Sequence, residues 1–175
     1  MCLLSGEQLQ KVADGQFSGV VFHHNNFYAV DTKTATVYVF EHTDEWKHCN
    51  SFSVHGKAGY IISLGIANNL LYVCLACENR IDIFSLDGQL KSSTGRKGNG
   101  AAGELHGPCI GAADAAGTAL ISDFANNRLQ LLSGNGQWSI LQLQPRIEKP
   151  FGACLVNDTL YVNGWKEKSI HAYKA

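Results

Sequence analysis

The sequence predicts an all-β chain: a β-propeller of four-stranded antiparallel blades, four blades to the chain. Three observations carry this. Apolar anchors at Tyr28, Tyr72, Leu120 and Tyr161 recur at near-even spacing. Twelve residues after each stands a large apolar residue (Phe40, Phe84, Leu132, Tyr173), and nine before it a small one (Gly19, Ser63, Gly111, Gly152). Just ahead of each anchor lies a turn pair, Asn25-Asn26, Asn68-Asn69, Ala116-Gly117 or Asn157-Asp158. Asn, Asp and Gly tolerate the positive φ of tight hairpin turns, so each pair reads as the link between two antiparallel strands. A fixed period of about 40 residues that holds four strands marks a propeller blade.

Taken in order, Gly6 to Val12 alternates like a strand, and Ala13 to Phe17 reads as a linker between blades. The first blade then spans about residues 17–53 and the second about 60–94, with Asp87-Gly88 as a hairpin turn. The third, about 106–143, is the clearest copy. It has strands over Pro108 to Ala113, Thr118 to Asp123, Arg128 to Ser133 and Trp138 to Leu143, with Phe124 to Asn127 as a four-residue loop. The fourth, about 149–175, provides three strands and no outer one. The early strand 6–12 is therefore expected to supply a closing edge. Three arrangements satisfy that expectation: self-closure as four blades, exchange of terminal strands between two chains to give an eight-bladed homodimer, or membership of a larger six-bladed domain.

The third copy resembles the NHL repeat. Gly103-Glu-Leu-His-Gly107-Pro108 matches the Gly-rich lead-in of that family, and Asp123-Phe-Ala-Asn-Asn127-Arg128 matches its Asp-x-x-x-Asn-Arg segment. The second copy keeps Asn79-Arg80 but has Leu75 in place of the Asp; the first keeps Asp31 and has Thr36 for the Arg. The resemblance implies a propeller of interaction type, as at the C-terminus of tripartite-motif ubiquitin ligases. It implies no ligand. The chain lacks a RING or B-box cysteine pattern, so ligase activity is not expected.

Composition narrows the function classes. Net charge −1 and a pI near 6.6 give no global attraction to nucleic acid or an anionic membrane. No apolar run reaches transmembrane length, so no membrane partner is expected. Six cysteines without a signal peptide read as reduced thiols of a cytoplasmic protein.

No motif argues for catalysis, cofactor or metal. Cys74-x-x-Cys77 lies at a strand end, where residues three apart face opposite sides, and no second ligand pair follows. Gly98-x-Gly100-x-x-Gly103 has a polar run before it and no helix after it, unlike a dinucleotide fingerprint. His23-His24 ends a strand, where neighbours point apart. Asp123 with Arg128 reads as a partly exposed ion pair fixing a turn, contributing about 0–1 kcal/mol. The chain is therefore expected to be no enzyme and to bind no cofactor and no metal.

The loops between second and third strands carry the remaining signal. With the linkers between blades they form one face, to which Lys33, Arg80, Arg96, Lys97, Phe124, Arg128, Trp165 and Lys166 are assigned. Aromatic rings on loops beside Arg and Lys are what protein interfaces enrich. A protein or peptide partner held by a non-catalytic scaffold is the first expectation, and RNA held by Arg80, Arg96, Lys97, Arg128 and Lys166 the second. A hydrolase or lyase with a metal at the channel mouth is the third.

Overall fold

A computed structural model describes residues 11–56, 62–114 and 116–174. Each repeat folds into an antiparallel sheet whose strands lie in chain order. The first sheet comprises β1 (Phe17–His23), β2 (Asn26–Asp31), β3 (Thr36–His42) and β4 (Trp46–Ser53). The second comprises β5 (Ile62–Ala67), β6 (Leu70–Leu75), β7 (Arg80–Ser85) and β8 (Leu90–Thr94). A small parallel pair follows, β9 (Arg96–Lys97) with β10 (Glu104–Leu105). The third sheet is β11 (Pro108–Ala113), β12 (Ala119–Asp123), β13 (Arg128–Leu132) and β14 (Trp138–Leu141). Among the described residues the fourth has three strands: β15 (Pro150–Val156), β16 (Thr159–Gly164) and β17 (Ser169–Lys174).

The fold is thus all-β with antiparallel sheets; among the described residues there are five sheets, three of four strands, one of three and the small parallel pair. The closing strand expected at 6–12 falls largely outside the described residues, and Lys11 and Val12 are in no strand. Among the described residues no helix is long and apolar enough to cross a membrane.

The sheets stack through their first strands, β1 on β5, β5 on β11 and β11 on β15. Strand alternation explains how. Tyr28 and Val30 of β2 point at the second sheet, where Leu71, Val73 and Leu75 of β6 meet them. The residues between, Tyr72 and Cys74, point the other way and pack with Ile110 and Ile121 of the third sheet. Leu120 then faces Leu160 and Val162 of the fourth. A strand buried on both faces reads as a continuous apolar run, which is what Leu70–Leu75 is. Each fully buried Leu or Ile contributes about 1.5–3 kcal/mol.

Turn chemistry departs from expectation in two places. Asn68-Asn69 and Asn157-Asp158 are positive-φ pairs as expected. The first hairpin, however, turns at residues 24–25, because His23 pairs with Asn26; His24 carries the positive φ of 53°. That twist brings the rings of His23 and His24 to 4.1 Å centroid separation, although strand neighbours were expected to point apart. The third hairpin turns through the longer loop between Ala113 and Ala119, where the Asp114 carboxylate accepts from the Thr118 N–H at 2.8 Å.

The largest correction concerns Asp123 and Arg128. Asp123 is fully buried, and the Arg128 side chain is only 10% exposed. Asp123 Oδ2 accepts from Arg128 Nε at 2.8 Å and Gln130 Nε2 at 2.9 Å, while Oδ1 accepts from the His106 N–H at 2.7 Å. Arg128 in turn donates to the carbonyls of Gly100, Ala101 and Glu104 at 3.0, 3.1 and 2.7 Å. The pair is not a surface ornament but a clamp that holds the lead-in 98–107 against the third sheet. In the second repeat Leu75 leaves no carboxylate at the Asp123 position, and Asp82 replaces it. Arg80 Nε donates to the buried Asp82 Oδ1 at 2.9 Å, and the same guanidinium bonds the His55 carbonyl.

Removing one partner of a buried pair strands the other charge in a low-dielectric site. Arg128→Ala is therefore expected to lower the unfolding free energy by about 3–5 kcal/mol in urea titration. Lys33→Ala, on an exposed side chain, is expected to stay within about 0.5 kcal/mol.

Candidate functional site: an aromatic pocket on the loop face

All four loops between second and third strands end on a residue in the left-handed region: Ala35, Asn79, Asn127 and Lys168, with φ of 51°, 55°, 54° and 53°. This common close repeats one loop geometry in each of the four sheets. In two of them the terminal Asn also reaches the next repeat. Asn79 Oδ1 accepts from the Gly107 N–H and Asn127 Oδ1 from the Lys149 N–H, both at 2.9 Å. Each of those N–H groups precedes a strand-opening proline, Pro108 or Pro150. One side chain thereby joins the loop of one sheet to the entry of the next.

Between the second, third and fourth sheets these joints leave a pocket of about 300 Å³, lined by Ala76, Gly107, Pro108, Cys109, Phe124, Phe151 and Trp165. Phe124 and Phe151 meet edge to face at 6.3 Å, and Phe151 and Trp165 lie 6.1 Å apart, tilted. Phe124 is half-buried, whereas Trp165 remains 64% exposed. Lys149 Nζ sits 5.5 Å from the Phe124 ring centre, close enough for a cation–π attraction. Lys149 takes a φ of +47°, a position held by Gly107 in the preceding repeat. A lysine kept in a conformation that L side chains rarely adopt is a strain that functional sites often hold.

The expected site residues divide into three groups. Phe124 and Trp165 are brought together, across Phe151. Arg128 is nearly buried on Asp123, and Arg80 is partly exposed at 29% while paired with the buried Asp82. Arg80 lies in a carboxylate pair with Asp82 and Glu78, which raises its already high pKa, the bond to Asp82 contributing most. Arg96, Lys97, Lys166 and Lys33 are exposed. Arg96 pairs with Glu104 at 3.1 Å and Lys166 with Glu148 at 2.6 Å. Phe151 and Lys149 were not anticipated; their only sequence signal is that Lys149-Pro150-Phe151 occupies the place of Gly107-Pro108-Cys109.

Other chemistry-bearing groups are occupied internally. Glu104 fills the Gly98–Gly103 loop: its Oε2 accepts from the N–H groups of Gly100 and Ala101 at 3.0 and 3.1 Å. Those amides, with Arg96, hold its carboxyl below the usual range, Gly100 contributing most. A Cβ on Gly98 would lie 2.6 Å from the Glu104 carboxyl carbon, so glycine is required there by contact rather than by a phosphate. Cys74 and Cys109 are buried, which raises both thiol pKa values, whereas Cys77 is exposed. His171 Nε2 contacts both Ser169 Oγ at 2.7 Å and Glu167 Oε2 at 2.5 Å. Hydroxyl and carboxylate thus share one ring nitrogen, where a nucleophile–base relay needs both nitrogens. Among the described residues no three His, Cys, Asp or Glu side chains are grouped to hold a metal ion.

A carboxyl whose folded pKa is depressed stabilises the fold above its unfolded pKa, and that stability is lost as pH falls through the folded value. Glu104→Gln is therefore expected to lower Tm at pH 7. The gap between variant and wild type should close as pH drops below the ordinary carboxylate range, which a thermal-melt series in pH would read directly.

No protein-family model matches this chain, the NHL repeat included, and no curated protein sequence matches it. Solved structures do. A protein of unknown function from Bacteroides thetaiotaomicron aligns with TM-score 0.76 and 17% identity, over 91% of this chain and 47% of its own. Streptogramin B lyase aligns with TM-score 0.66 and 16% identity, over 91% and 54%. The computationally designed Ika4 protein aligns with TM-score 0.65 and 12% identity, over 97% and 98%. The chain thus spans about half the length of the first two. The expectation that this chain is no enzyme does not stand, because a lyase is among the structures that share its fold. An absence of short catalytic motifs has little weight in an architecture whose sites draw on residues far apart in sequence. At these identities the likeness establishes architecture: the chain has a β-propeller-like fold.

Proposed function

We propose that this chain is an NHL-like binding module whose loop face captures a protein or peptide by taking one of its apolar side chains into the pocket of Phe124, Phe151 and Trp165. The observation that carries the reading is Trp165. A tryptophan 64% exposed, beside two further rings and a pocket of about 300 Å³, leaves an apolar concavity open to solvent. Its volume lies at the lower end of small-ligand sites, suited to one side chain rather than a large cofactor. Exposed aromatic rings around a pocket are the usual anchors of protein recognition. Lys149 at the rim would favour an acidic or carbonyl group beside the inserted side chain.

No specific observation favours RNA. Four of the five cations on which that reading rests, Arg80, Arg96, Arg128 and Lys166, are held by the chain's own carboxylates. Sequence-independent nucleic-acid binding needs such charges free for phosphate.

Peptide-display selection on the wild-type protein is expected to enrich sequences with an aromatic or large aliphatic residue at one fixed position. Trp165→Ala should weaken those peptides at least tenfold, about 1.4 kcal/mol, while Lys33→Ala leaves them unchanged. Selected peptides that bind Trp165→Ala as tightly as wild type would overturn the assignment.

A further inference from the structure

Two sheet faces have apolar side chains turned to solvent. On the first sheet, Val20 and Phe22 are 68% and 62% exposed. Behind them lies a layer of rings, with Phe27 at 4.7 Å from Phe40 and 4.8 Å from Trp46. On the fourth sheet, Tyr161 and Ile170 are 41% and 76% exposed, and Cys154 and Ala172 stand opposite Tyr161 in register.

The repeat shows what such faces normally meet. Tyr28, Tyr72 and Leu120 occupy one position in the first three repeats, and each is buried at the boundary with the following sheet, 2%, 1% and 7% exposed. Tyr161 is the fourth member of that set. Phe84, Leu132 and Tyr173 occupy another position, and each faces the preceding sheet. Phe40, the first member of that set, lies on the face of β3 that turns away from the second sheet, against Phe27. The fourth sheet therefore ends in a surface built to receive a following sheet, and the first begins with one built to receive a preceding sheet. Among the described residues, the exposure of Val20, Phe22, Tyr161 and Ile170 leaves both of these faces uncovered.

We propose that the outer face of the fourth sheet packs on the outer face of the first sheet of a second copy, and reciprocally, so that two chains close one ring through two equivalent contacts. The occupant is a second copy because both halves of the required surface are present on this chain, in the same repeat positions that form its internal boundaries. The contact is head to tail, distinct from an exchange of terminal strands. The contact rests on side chains other than Phe124, Phe151 and Trp165, although Ile170 and Trp165 line a common shallow concavity at the edge of the fourth sheet.

Light scattering on a sizing column at two concentrations tests this. A mass twice the 19.0 kDa of one chain is expected, independent of concentration. Ile170→Asp and Val20→Asp alter exposed side chains, so each should keep the wild-type circular dichroism and each alone should run as a monomer. Mixing the two variants should restore dimer, since one contact of the pair is then built from two intact faces. A wild type that is monomeric at both concentrations would overturn the proposal. So would a dimer that resists both substitutions, a dimer broken by only one of them, or masses that climb past the dimer with concentration, as in an open head-to-tail polymer.

Discussion

A buried carboxylate organises the best-formed third of this molecule. Asp123 has no solvent to neutralise it, so its four neighbours must do so, and each neighbour belongs to something that needs holding. His106 is the backbone of the lead-in, Asn126 the loop, Arg128 the guanidinium that gathers three carbonyls, and Gln130 the next residue on that face of β13. Burying such a charge is unfavourable unless every lone pair is met, which makes the arrangement all-or-none. The Gly-rich stretch 98–107 would otherwise have many conformations; the clamp selects one. The second repeat reaches the same result from another residue, Asp82, so what persists between repeats is the constraint rather than the residue that meets it.

The loop face inherits its geometry from these clamps. Asn79 and Asn127, closing the loops of the second and third sheets, fix the backbone at Gly107 and Lys149, and those two residues open the strands on which Cys109 and Phe151 stand. Phe124 follows Asp123 directly. Gly107 and Phe124 are thus each one residue from a part-buried hydrogen bond to a side-chain oxygen, and Phe151 is two residues from the exposed one at Lys149. Preformed sites bind with less ordering cost, so a modest pocket can contribute useful affinity.

Much of the architecture was legible because propellers repeat. Tyr28, Tyr72 and Leu120 at fixed offsets follow from a strand that must be apolar on both faces, and Asn68-Asn69 follows from a turn that must accept positive φ. The role of Arg128 was not legible, since burial depends on what lies above a side chain. Here that is the loop from Gly100 to Glu104, well upstream and without any periodic signal. Arg80 is drawn in the same way to Asp82 and the His55 carbonyl. Phe151 escaped because a strand-opening Phe looks like core, whereas its ring lies on the pocket between Phe124 and Trp165. The expectation of a non-catalytic chain failed on a different ground: it inferred chemistry from contiguous motifs, whereas the shared fold includes a lyase.

Hydrogen exchange at the amides of His106, Gly107 and Lys149 tests most directly whether bonds to side-chain oxygens hold the loop face in one conformation. Each is bonded to a side-chain oxygen, Asp123 Oδ1, Asn79 Oδ1 and Asn127 Oδ1 respectively. If those bonds fix the pocket, all three exchange as slowly as amides of β6 and β12, and Asp123→Asn speeds His106 before it affects the strands. Exchange at the rate of an unprotected loop in the wild-type protein would contradict a preformed site.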